Sequence, residues 1–369
     1  MTAREKKAEI PERMLAAVLH GREDIRVEQV ETPRARRGEV VLRVDAALTC
    51  GTDRKVYRRG YHAKMIRPPM PFGHEVAGTI VERGEGVTEF ALGERVVALN
   101  SAPCGECYFC RREQENLCAD LLFNNGAYAE YMRIPERIVE KNMIRIPEGM
   151  DAAHAALTEP LACALHAWED SAARAGDTVA VIGAGPLGLM MMQLAVMSGC
   201  RLIAIVKHAE QARLARALGA AEVIETRATT GASADVVAAV RACTEDGRGV
   251  DLAIEAVAVP ETWQQAVEMT RSGGVVNFFG GPAAGTVVSL DTNRLHYGDM
   301  TLKATFHHTP QVCQRAFAML ADGRFDAGVL LTGVAQLDDV PEVFRAWGAQ
   351  RGEIKTVIVP SAAEGRIKA

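Results

Sequence analysis

The pattern of apolar and polar positions changes near Pro160. Before it, short apolar runs alternate with turns rich in Gly and Pro, which is typical of strands. The predicted strands span 16–20, 24–30, 39–48, 75–84 and 94–99. After it, apolar strands at 178–182, 201–206, 222–225, 251–256 and 275–279 alternate with helical patterns at 187–199, 210–219, 232–242 and 261–271. This rhythm predicts a parallel sheet covered by helices on both faces, so the chain is read as a β-rich domain followed by an α/β domain.

Length and composition agree with two soluble domains. The chain has 369 residues, whereas a single core stops growing at roughly 250 to 300 residues. Apolar residues make up 48% of the chain, so a large core is available. The formal net charge of −5 gives no reason to expect binding to nucleic acid or to an acidic membrane surface.

The chain carries no pattern for secretion or membrane insertion. Residues 1–14 are crowded with charges and lack the apolar stretch of a secretory signal. The longest apolar run, 187–197, is too short to cross a bilayer. We therefore expect a cytoplasmic protein.

One short segment carries cysteines with metal-ligand spacing. Its C-x2-C-x2-C-x7-C pattern consists of Cys104, Cys107, Cys110 and Cys118. Four thiolates fill a tetrahedral zinc shell, so this lobe, at about 100–120, is predicted to hold a structural zinc ion and to perform no catalysis. Such clustering in a long chain also favours a reducing compartment over disulfides. The isolated cysteines are predicted to be packing residues: Cys163, Cys200, Cys243 and Cys313.

A second set of ligand-type residues predicts a catalytic metal site. Cys50 begins a CGTD segment, His74 and Glu75 follow Gly73, and Glu159 precedes a proline. One thiolate, one imidazole and one carboxylate make a three-ligand zinc site with a position left open for water or substrate. Taken alone, Cys50 or His74 would more often be a core residue. Their occurrence beside a second predicted zinc site and a dinucleotide-binding turn favours the catalytic interpretation.

The first predicted strand of the α/β domain leads into a glycine-rich turn. Residues 183–188 read Gly183-Ala184-Gly185-Pro186-Leu187-Gly188 and open an apolar helix, the strand-turn-helix context of a dinucleotide site. Gly183 permits the turn, Gly185 lets the backbone approach a pyrophosphate, and Gly188 lets helix and strand pack closely. Pro186 suits the first helical turn, where its missing N–H is no loss.

The end of the second strand favours NADP over NAD. An NAD site usually has Asp or Glu there, whereas this chain has Lys207 and His208, with Arg213 nearby. Two or three donors would offset the charge of a 2′-phosphate. The alternative is that these residues are solvated at a helix entry and that Glu210 reaches the ribose.

Together these motifs resemble the zinc-containing medium-chain dehydrogenase/reductase family, which includes alcohol, sorbitol and threonine dehydrogenases. The resemblance also rests on PFGHEVAGTIVERGEGV, GERVVAL, GAYAEYMRIP, TEPLACALHAW and VIGAGPLG. It implies a GroES-like β-rich catalytic domain at 14–165 and 302–369 and a Rossmann doubly wound parallel-sheet domain at 166–301. The charged residues at 1–13 are predicted to form a solvated tail. The active site would lie in the cleft between the domains.

The resemblance also implies roles for the site residues. Cys50 and His74 would bind the catalytic zinc, with Glu75 ranked slightly ahead of Glu159 as the resting carboxylate ligand. Zinc lowers the pKa of a bound alcohol and so favours hydride transfer to the nicotinamide. The Thr52 hydroxyl would accept the alcohol proton, unless it only caps a helix that begins at Asp53.

The chain departs from many relatives at the end of the proton relay, where they have His and this chain has Lys55. A lysine is a poor base at neutral pH unless its pKa is lowered, so we expect the last proton step to use water.

Substrate and assembly are less determined by the sequence. Polar residues in segments 57–62, 123–125 and 306–309 favour a polyol, sugar or cyclitol secondary alcohol, although each segment could also be a surface loop. An amino alcohol such as threonine, a simple secondary alcohol and a non-catalytic zinc and nucleotide-binding protein remain alternatives. By analogy with relatives we expect a homodimer or homotetramer, with strand edges in 275–291 at the interface.

Overall fold

The structure is a computed structural model, and it describes residues 10–62, 64–226, 233–347 and 353–360. The chain divides into two compact units. Unit 1 comprises residues 1–162 and 308–369, and unit 2 comprises residues 163–307. The chain thus leaves unit 1 once and returns to it.

Unit 1 is rich in strands, and three sheets form within it. The strands are β1 (Arg13–Gly21), β2 (Asp24–Glu31), β3 (Val40–Leu48), β4 (Met70–Pro71), β5 (Glu75–Arg83), β6 (Arg95–Ala98), β7 (Ser101–Ala102), β8 (Leu122–Phe123), β9 (Tyr131–Ile134), β10 (Met143–Arg145), β17 (Leu331–Gln336) and β18 (Lys355–Val359). The largest sheet has the order β10-β6-β5-β3-β18-β17, with β9 also paired to β3; the others are β2-β1-β4 and β7-β8. The five strands predicted for this half of the chain are present as β1, β2, β3, β5 and β6.

Helices of unit 1 lie at turns between these strands. They are α1 (Gly51–Arg59), α2 (Glu136–Lys141), α3 (Ala152–Ala156), the start of α4 (Thr158–Ser171), α10 (Pro310–Ala321) and α11 (Val340–Ala346). The core between sheets and helices contains aliphatic residues of β3 and β5 and an aromatic group in which Phe344 packs against Tyr57, Phe72 and Tyr128.

The predicted charged tail is wrong at its end. Ile10 is buried against Val41 and Val81, and β1 already begins at Arg13. Residues 1–9 lie outside the described residues. Ile10 thus packs on the core although its neighbours in the sequence are charged. The charge of the segment alone therefore did not indicate this contact.

Unit 2 contains a six-stranded parallel sheet. Its strands are β11 (Thr178–Ile182), β12 (Arg201–Val206), β13 (Glu222–Glu225), β14 (Val250–Glu255), β15 (Thr270–Phe278) and β16 (Thr301–Lys303). Its helices, besides the end of α4, are α5 (Pro186–Met197), α6 (Ala209–Ala217), α7 (Ser233–Ala242), α8 (Pro260–Met269) and α9 (Thr292–Tyr297). The strand order β13-β12-β11-β14-β15-β16 is the 3-2-1-4-5-6 order of a Rossmann fold. Such a sheet binds ligands beyond the carboxyl ends of its strands, where the order reverses.

Two details of unit 2 differ from the sequence analysis. The chain returns to unit 1 at residue 308 rather than 302, because β16 pairs with β15 and completes the parallel sheet. Within 275–291, β15 is an interior strand of this sheet and residues 279–291 form no strand within the chain, so the interface expected at this segment stays a prediction.

Within the described ranges, no helix is long and apolar enough to cross a membrane.

Candidate metal and nucleotide sites

The pairing of two strands brings the predicted catalytic ligands together. In the antiparallel pair of β3 and β5, Leu48 lies opposite Glu75. Cys50, two residues after the end of β3, therefore lies near the start of β5. The Sγ of Cys50, a ring nitrogen of His74 and a carboxylate oxygen of Glu75 lie within 4.8 Å of one another. Three donors of the kinds that zinc binds are therefore close enough to share one ion.

Cys50 also begins helix α1. Its Sγ accepts the backbone N–H of Thr52 at 3.4 Å, and its own N–H donates to Asp53 Oδ2 at 3.2 Å, which forms a capping box. The helix begins at Gly51, so the alternative in which Thr52 caps a helix starting at Asp53 is wrong. Thr52 lies in the first turn, one residue beyond Gly51.

A network of buried groups orients His74. Asp53 Oδ1 lies 2.9 Å from His74 Nδ1, and the Tyr128 hydroxyl donates to Asp53 Oδ2 at 2.5 Å. With Nδ1 donating to Asp53, the lone pair of Nε2 is left for a metal, the arrangement that metal-binding histidines commonly show. Gly73 completes the geometry: its φ is +89°, and a Cβ there would lie 2.8 Å from the Tyr128 ring.

Glu75 forms a buried ion pair with Lys355. The Lys355 ammonium lies 2.8 Å from Oε1 and 2.7 Å from Oε2 of the carboxylate, and it also donates to the Thr49 carbonyl at 2.7 Å. Both side chains are almost completely buried. Burial raises the pKa of Glu75 to about 7, and the charge of Lys355 opposes this shift. Lys355 therefore helps to keep Glu75 in the ionised form that a metal requires.

Glu159 lies at the start of α4 and is also buried. It accepts a hydrogen bond from the Asn100 side chain. His308 Nε2 lies 3.9 Å from Glu159 Oε1. Burial raises the pKa of Glu159, and the charges of His74 and Lys355 oppose this shift.

The four clustered cysteines have the geometry of a tetrathiolate. Four of their Sγ–Sγ distances are 3.5, 3.5, 3.9 and 3.9 Å. Zn–S bonds of ~2.3 Å in a tetrahedron would place the sulfur atoms about 3.8 Å apart. Backbone N–H groups of Cys104, Cys107 and Ala119 point at three of the sulfurs, as expected for thiolates. Hydrogen bonds from the backbone at Cys110 and Ala119 lower the pKa of Cys107 to about 6. The residues fit a closed structural zinc site.

The glycine-rich turn lies at the carboxyl end of β11. Gly183 has a φ of +100°, and a Cβ on Gly188 would lie 2.0 Å from the Gly183 carbonyl oxygen. A Cβ on Gly185 would meet no described atom within 4 Å, so packing within the chain does not require glycine there. Space for a phosphate near the backbone does require it. Pro186 is the first residue of α5, with Leu187 next, as predicted.

The residues predicted to contact the adenosine ribose or its 2′-phosphate lie around the start of α6. His208 precedes the helix, and the exposed Lys207 follows the end of β12. Arg213 forms an exposed ion pair with Glu210, with nitrogen–oxygen distances down to 2.6 Å. Exposed pairs of this kind contribute little free energy, so Arg213 can exchange Glu210 for a phosphate at low cost. The same low cost applies to Glu210, so the alternative that Glu210 holds the ribose stays open.

Several residues of these sites were missed by the sequence analysis. Gln211, for example, accepts the backbone N–H groups of Lys207 and His208 and donates to the Ala184 carbonyl at 3.3 Å, which links the glycine turn to the ribose-side loop. The missed residues are Asp53, Asn100, Tyr128, Gln211, His308 as a buried residue, and Lys355. Asp53 and Gln211 carried a local signal, because each lies three residues after the residue that precedes a helix, which is the position of a capping box.

The predicted substrate segments have mixed outcomes. Tyr57 is a buried core residue that packs against Phe344. Asn124 and Asn125 donate to the backbone carbonyls of Arg133 and Met65. Lys55 is an exposed residue on α1.

Comparisons with known proteins show the family of the chain. Residues 36–148 match the family described as alcohol dehydrogenase GroES-like domain, and residues 186–322 match zinc-binding dehydrogenase. The chain is 29% identical to sorbitol dehydrogenase of Bacillus subtilis, over 95% of this chain and 99% of that protein. It is 31% identical to L-threonine 3-dehydrogenase of Bacillus licheniformis, over 90% of this chain and 94% of that protein. The crystal structure of a zinc-binding dehydrogenase from Sinorhizobium meliloti 1021, bound to NADP, superposes with a TM-score of 0.85 at 31% identity, covering 94% of this chain and 99% of that chain.

A β-rich unit with two thiolate sites and a Rossmann unit with a glycine turn define a zinc-dependent oxidoreductase. The chain belongs to the zinc-containing medium-chain dehydrogenase/reductase family. It has the GroES-like and Rossmann domains expected of that family, and it is a zinc-dependent, NAD(P)-linked alcohol or polyol dehydrogenase.

Proposed function

We propose that this enzyme oxidises a secondary alcohol of a polyol, sugar or cyclitol and transfers the hydride to NADP. The observation that carries the reaction type is the group formed by Cys50, His74 and Glu75, whose donors lie within 4.8 Å of one another. Zinc held there lowers the pKa of a bound alcohol and stabilises the charge that develops during hydride transfer. The similarity to sorbitol dehydrogenase supports a polyol as the substrate.

The chain's own residues divide the work at this site. Cys50 and His74 hold the metal, Asp53 orients the imidazole, and Glu75 is the proposed resting carboxylate ligand. Glu159 is the nearby carboxylate that exchanges with it. Thr52, in the first turn of α1, is proposed to accept the alcohol proton, and loss of the pH dependence of turnover in Thr52→Val would support this role.

The substrate proposal is tested by measuring nicotinamide reduction with zinc-loaded enzyme. The panel contains sorbitol, xylitol, erythritol, myo-inositol, L-threonine and 2-propanol. We expect the highest kcat/KM with a polyol or cyclitol. The similarity to L-threonine 3-dehydrogenase makes an amino alcohol the second candidate, and a preference for L-threonine would replace the first.

The cofactor proposal rests on the residues that follow β12. Lys207 and His208 occupy the positions where an NAD site places a carboxylate, and Arg213 lies on the first turns of the same helix, α6. The similar Sinorhizobium meliloti protein was crystallised with NADP, which supports the same choice here.

His208→Asp is expected to shift the preference from NADP toward NAD. A carboxylate there would repel the 2′-phosphate and accept from a ribose hydroxyl. Loss of one charge-assisted hydrogen bond, about 1.5–3 kcal/mol, corresponds to roughly a 10-fold to 100-fold fall in kcat/KM for NADP. Steady-state kinetics with both cofactors at a fixed alcohol concentration measure the ratio.

Arg216→Gln is the matched control, because Arg216 lies on the same helix and pairs with Glu225 at 3.5 Å. It should leave the ratio unchanged. A wild-type enzyme that clearly prefers NAD would contradict the proposal.

Further proposals follow from the family. We propose two zinc ions per chain, one catalytic and one in the lobe formed by Cys104, Cys107, Cys110 and Cys118. A homodimer or homotetramer and a cytoplasmic location are proposed by analogy with relatives. Metal analysis, sedimentation and cell fractionation test these three statements.

A further inference from the structure

A buried row of polar side chains in unit 1 ends at Glu159. It runs from Cys313 on α10 through His308 to Asn100, which follows β6. The exposed fractions of these side chains are small: 0% for Cys313, 2% for His308, 3% for Asn100 and 6% for Glu159. Four polar residues excluded from water must find partners within the protein, because an unpaired buried polar group costs roughly 1–3 kcal/mol.

The contacts between these residues form a continuous chain. Cys313 Sγ lies 3.2 Å from His308 Nδ1, and His308 Nε2 lies 3.1 Å from Asn100 Oδ1. The Asn100 side chain in turn donates to Glu159. The direct separation of His308 Nε2 and Glu159 Oε1 is 3.9 Å, which is too long for a hydrogen bond. His308 therefore acts on Glu159 through Asn100.

The chemistry of the groups gives this chain a direction. An ionised carboxylate only accepts hydrogen bonds, so the amide of Asn100 must turn Nδ2 toward Glu159 and Oδ1 toward His308. An amide oxygen only accepts, so His308 must donate from Nε2. Its Nδ1 then carries the lone pair and accepts from the thiol of Cys313. Every donor in the chain points toward Glu159, and one tautomer of His308 satisfies all four residues.

We propose that His308, which accepts from the Cys313 thiol and donates to the Asn100 amide, is a positioning residue. It fixes the Glu159 carboxylate in the orientation from which that group can exchange into the ligand shell of the catalytic zinc. The proposal rests on the proposed role of Glu159 as an exchanging ligand. It assigns a function to Cys313 and His308 that simple core packing does not require.

The test compares two replacements of His308. His308→Gln keeps an N–H donor at about the reach of Nε2, whereas His308→Leu keeps the bulk and removes the donor. Each variant is measured in three ways: the visible d–d absorption of the cobalt-substituted enzyme, the rate of zinc loss to a chelator, and kcat and KM separately. Outer-shell partners of metal ligands typically change metal affinity or activity by 10-fold to 100-fold.

We expect His308→Leu to alter the cobalt spectrum, to accelerate loss of the catalytic zinc by roughly 10-fold to 100-fold and to lower kcat, with little change in KM for the cofactor. His308→Gln should restore most of each quantity. The zinc of the four-cysteine lobe is the internal control, because its rate of loss should not change. His154→Leu, on the exposed face of α3, is the matched control for a histidine-to-leucine change.

Glu159→Gln separates the two possible failures. If Glu159→Gln leaves the cobalt spectrum and zinc release unchanged, Glu159 does not exchange at the metal, and both the exchange role and the positioning role are overturned. If Glu159→Gln changes them while His308→Leu does not, only the positioning role is overturned. Equal effects of His308→Leu and His308→Gln on the cobalt spectrum, zinc release and kcat also overturn the positioning role. They would show that the N–H donor kept in His308→Gln makes no difference, as expected if His308 only packs in the core.

Discussion

Lys355→Met should lower the free energy of unfolding by about 3–5 kcal/mol, because it takes the ammonium group away from a carboxylate, that of Glu75, which stays buried. Both groups are at most 1% exposed, and the ammonium contacts both carboxylate oxygens. The lost contact with the Thr49 carbonyl adds to this cost. Unfolding in urea, followed by circular dichroism at a fixed free zinc concentration, measures the change.

The matched double variant, Lys355→Met with Glu75→Gln, distinguishes a broken ion pair from a damaged core. Removing both charges eliminates the unpaired carboxylate, so the double variant should be more stable than the sum of the two single changes predicts. Strictly additive losses would contradict the assignment of the ion pair as the source of the effect. Arg324→Met, which removes an exposed pair with Asp322, should change stability by less than about 1 kcal/mol.

The ion pair also illustrates what sequence patterns can and cannot predict. Cys50, His74 and Glu75 were found because each has a ligand-type side chain beside a recognisable strand or turn. Lys355 lies on β18, far along the chain, and it meets Glu75 only because β3 has β5 on one side and β18 on the other. No local property of the sequence around Lys355 reveals this partnership. Contacts that depend on the pairing of strands far apart in the sequence, such as that of Lys355 with Glu75, could therefore not be predicted from the sequence.

The same reasoning explains the outcomes in unit 2. The glycine turn was predictable because local geometry requires two of its glycines. Gly183 has a positive φ, and Gly188 allows α5 to approach the turn closely. The return of the chain to unit 1 at residue 308 was not predictable, because β16 has only three residues and its place in the sheet depends on pairing with β15. His308 was read as part of a polar loop because nothing in FHHTP indicates burial. Its partner Asn100 lies on the other side of the Rossmann insertion in the sequence.

Cys50→Ala is expected to lower kcat/KM by about 10³-fold to 10⁴-fold, because the Lewis acidity of the catalytic zinc contributes several kcal/mol to the barrier. Alanine removes the thiolate that, with His74, grips the metal. Zinc content should fall from two ions to one per chain, with the remaining ion in the four-cysteine lobe. Kinetics with the best alcohol of the panel and elemental analysis of the same sample provide the measurement.

The change also removes the cap of helix α1, which costs about 1 kcal/mol and is too small to unfold the unit. Loss of turnover with a retained near-ultraviolet dichroism spectrum therefore reports on the metal rather than on the fold. Cys200→Ala is the matched control, because this buried thiol in unit 2 donates to the Arg174 carbonyl at 3.3 Å and belongs to neither cysteine site. It should keep both zinc ions and full activity. Wild-type turnover by Cys50→Ala enzyme with a single zinc ion would place the chemistry somewhere other than the Cys50, His74 and Glu75 group.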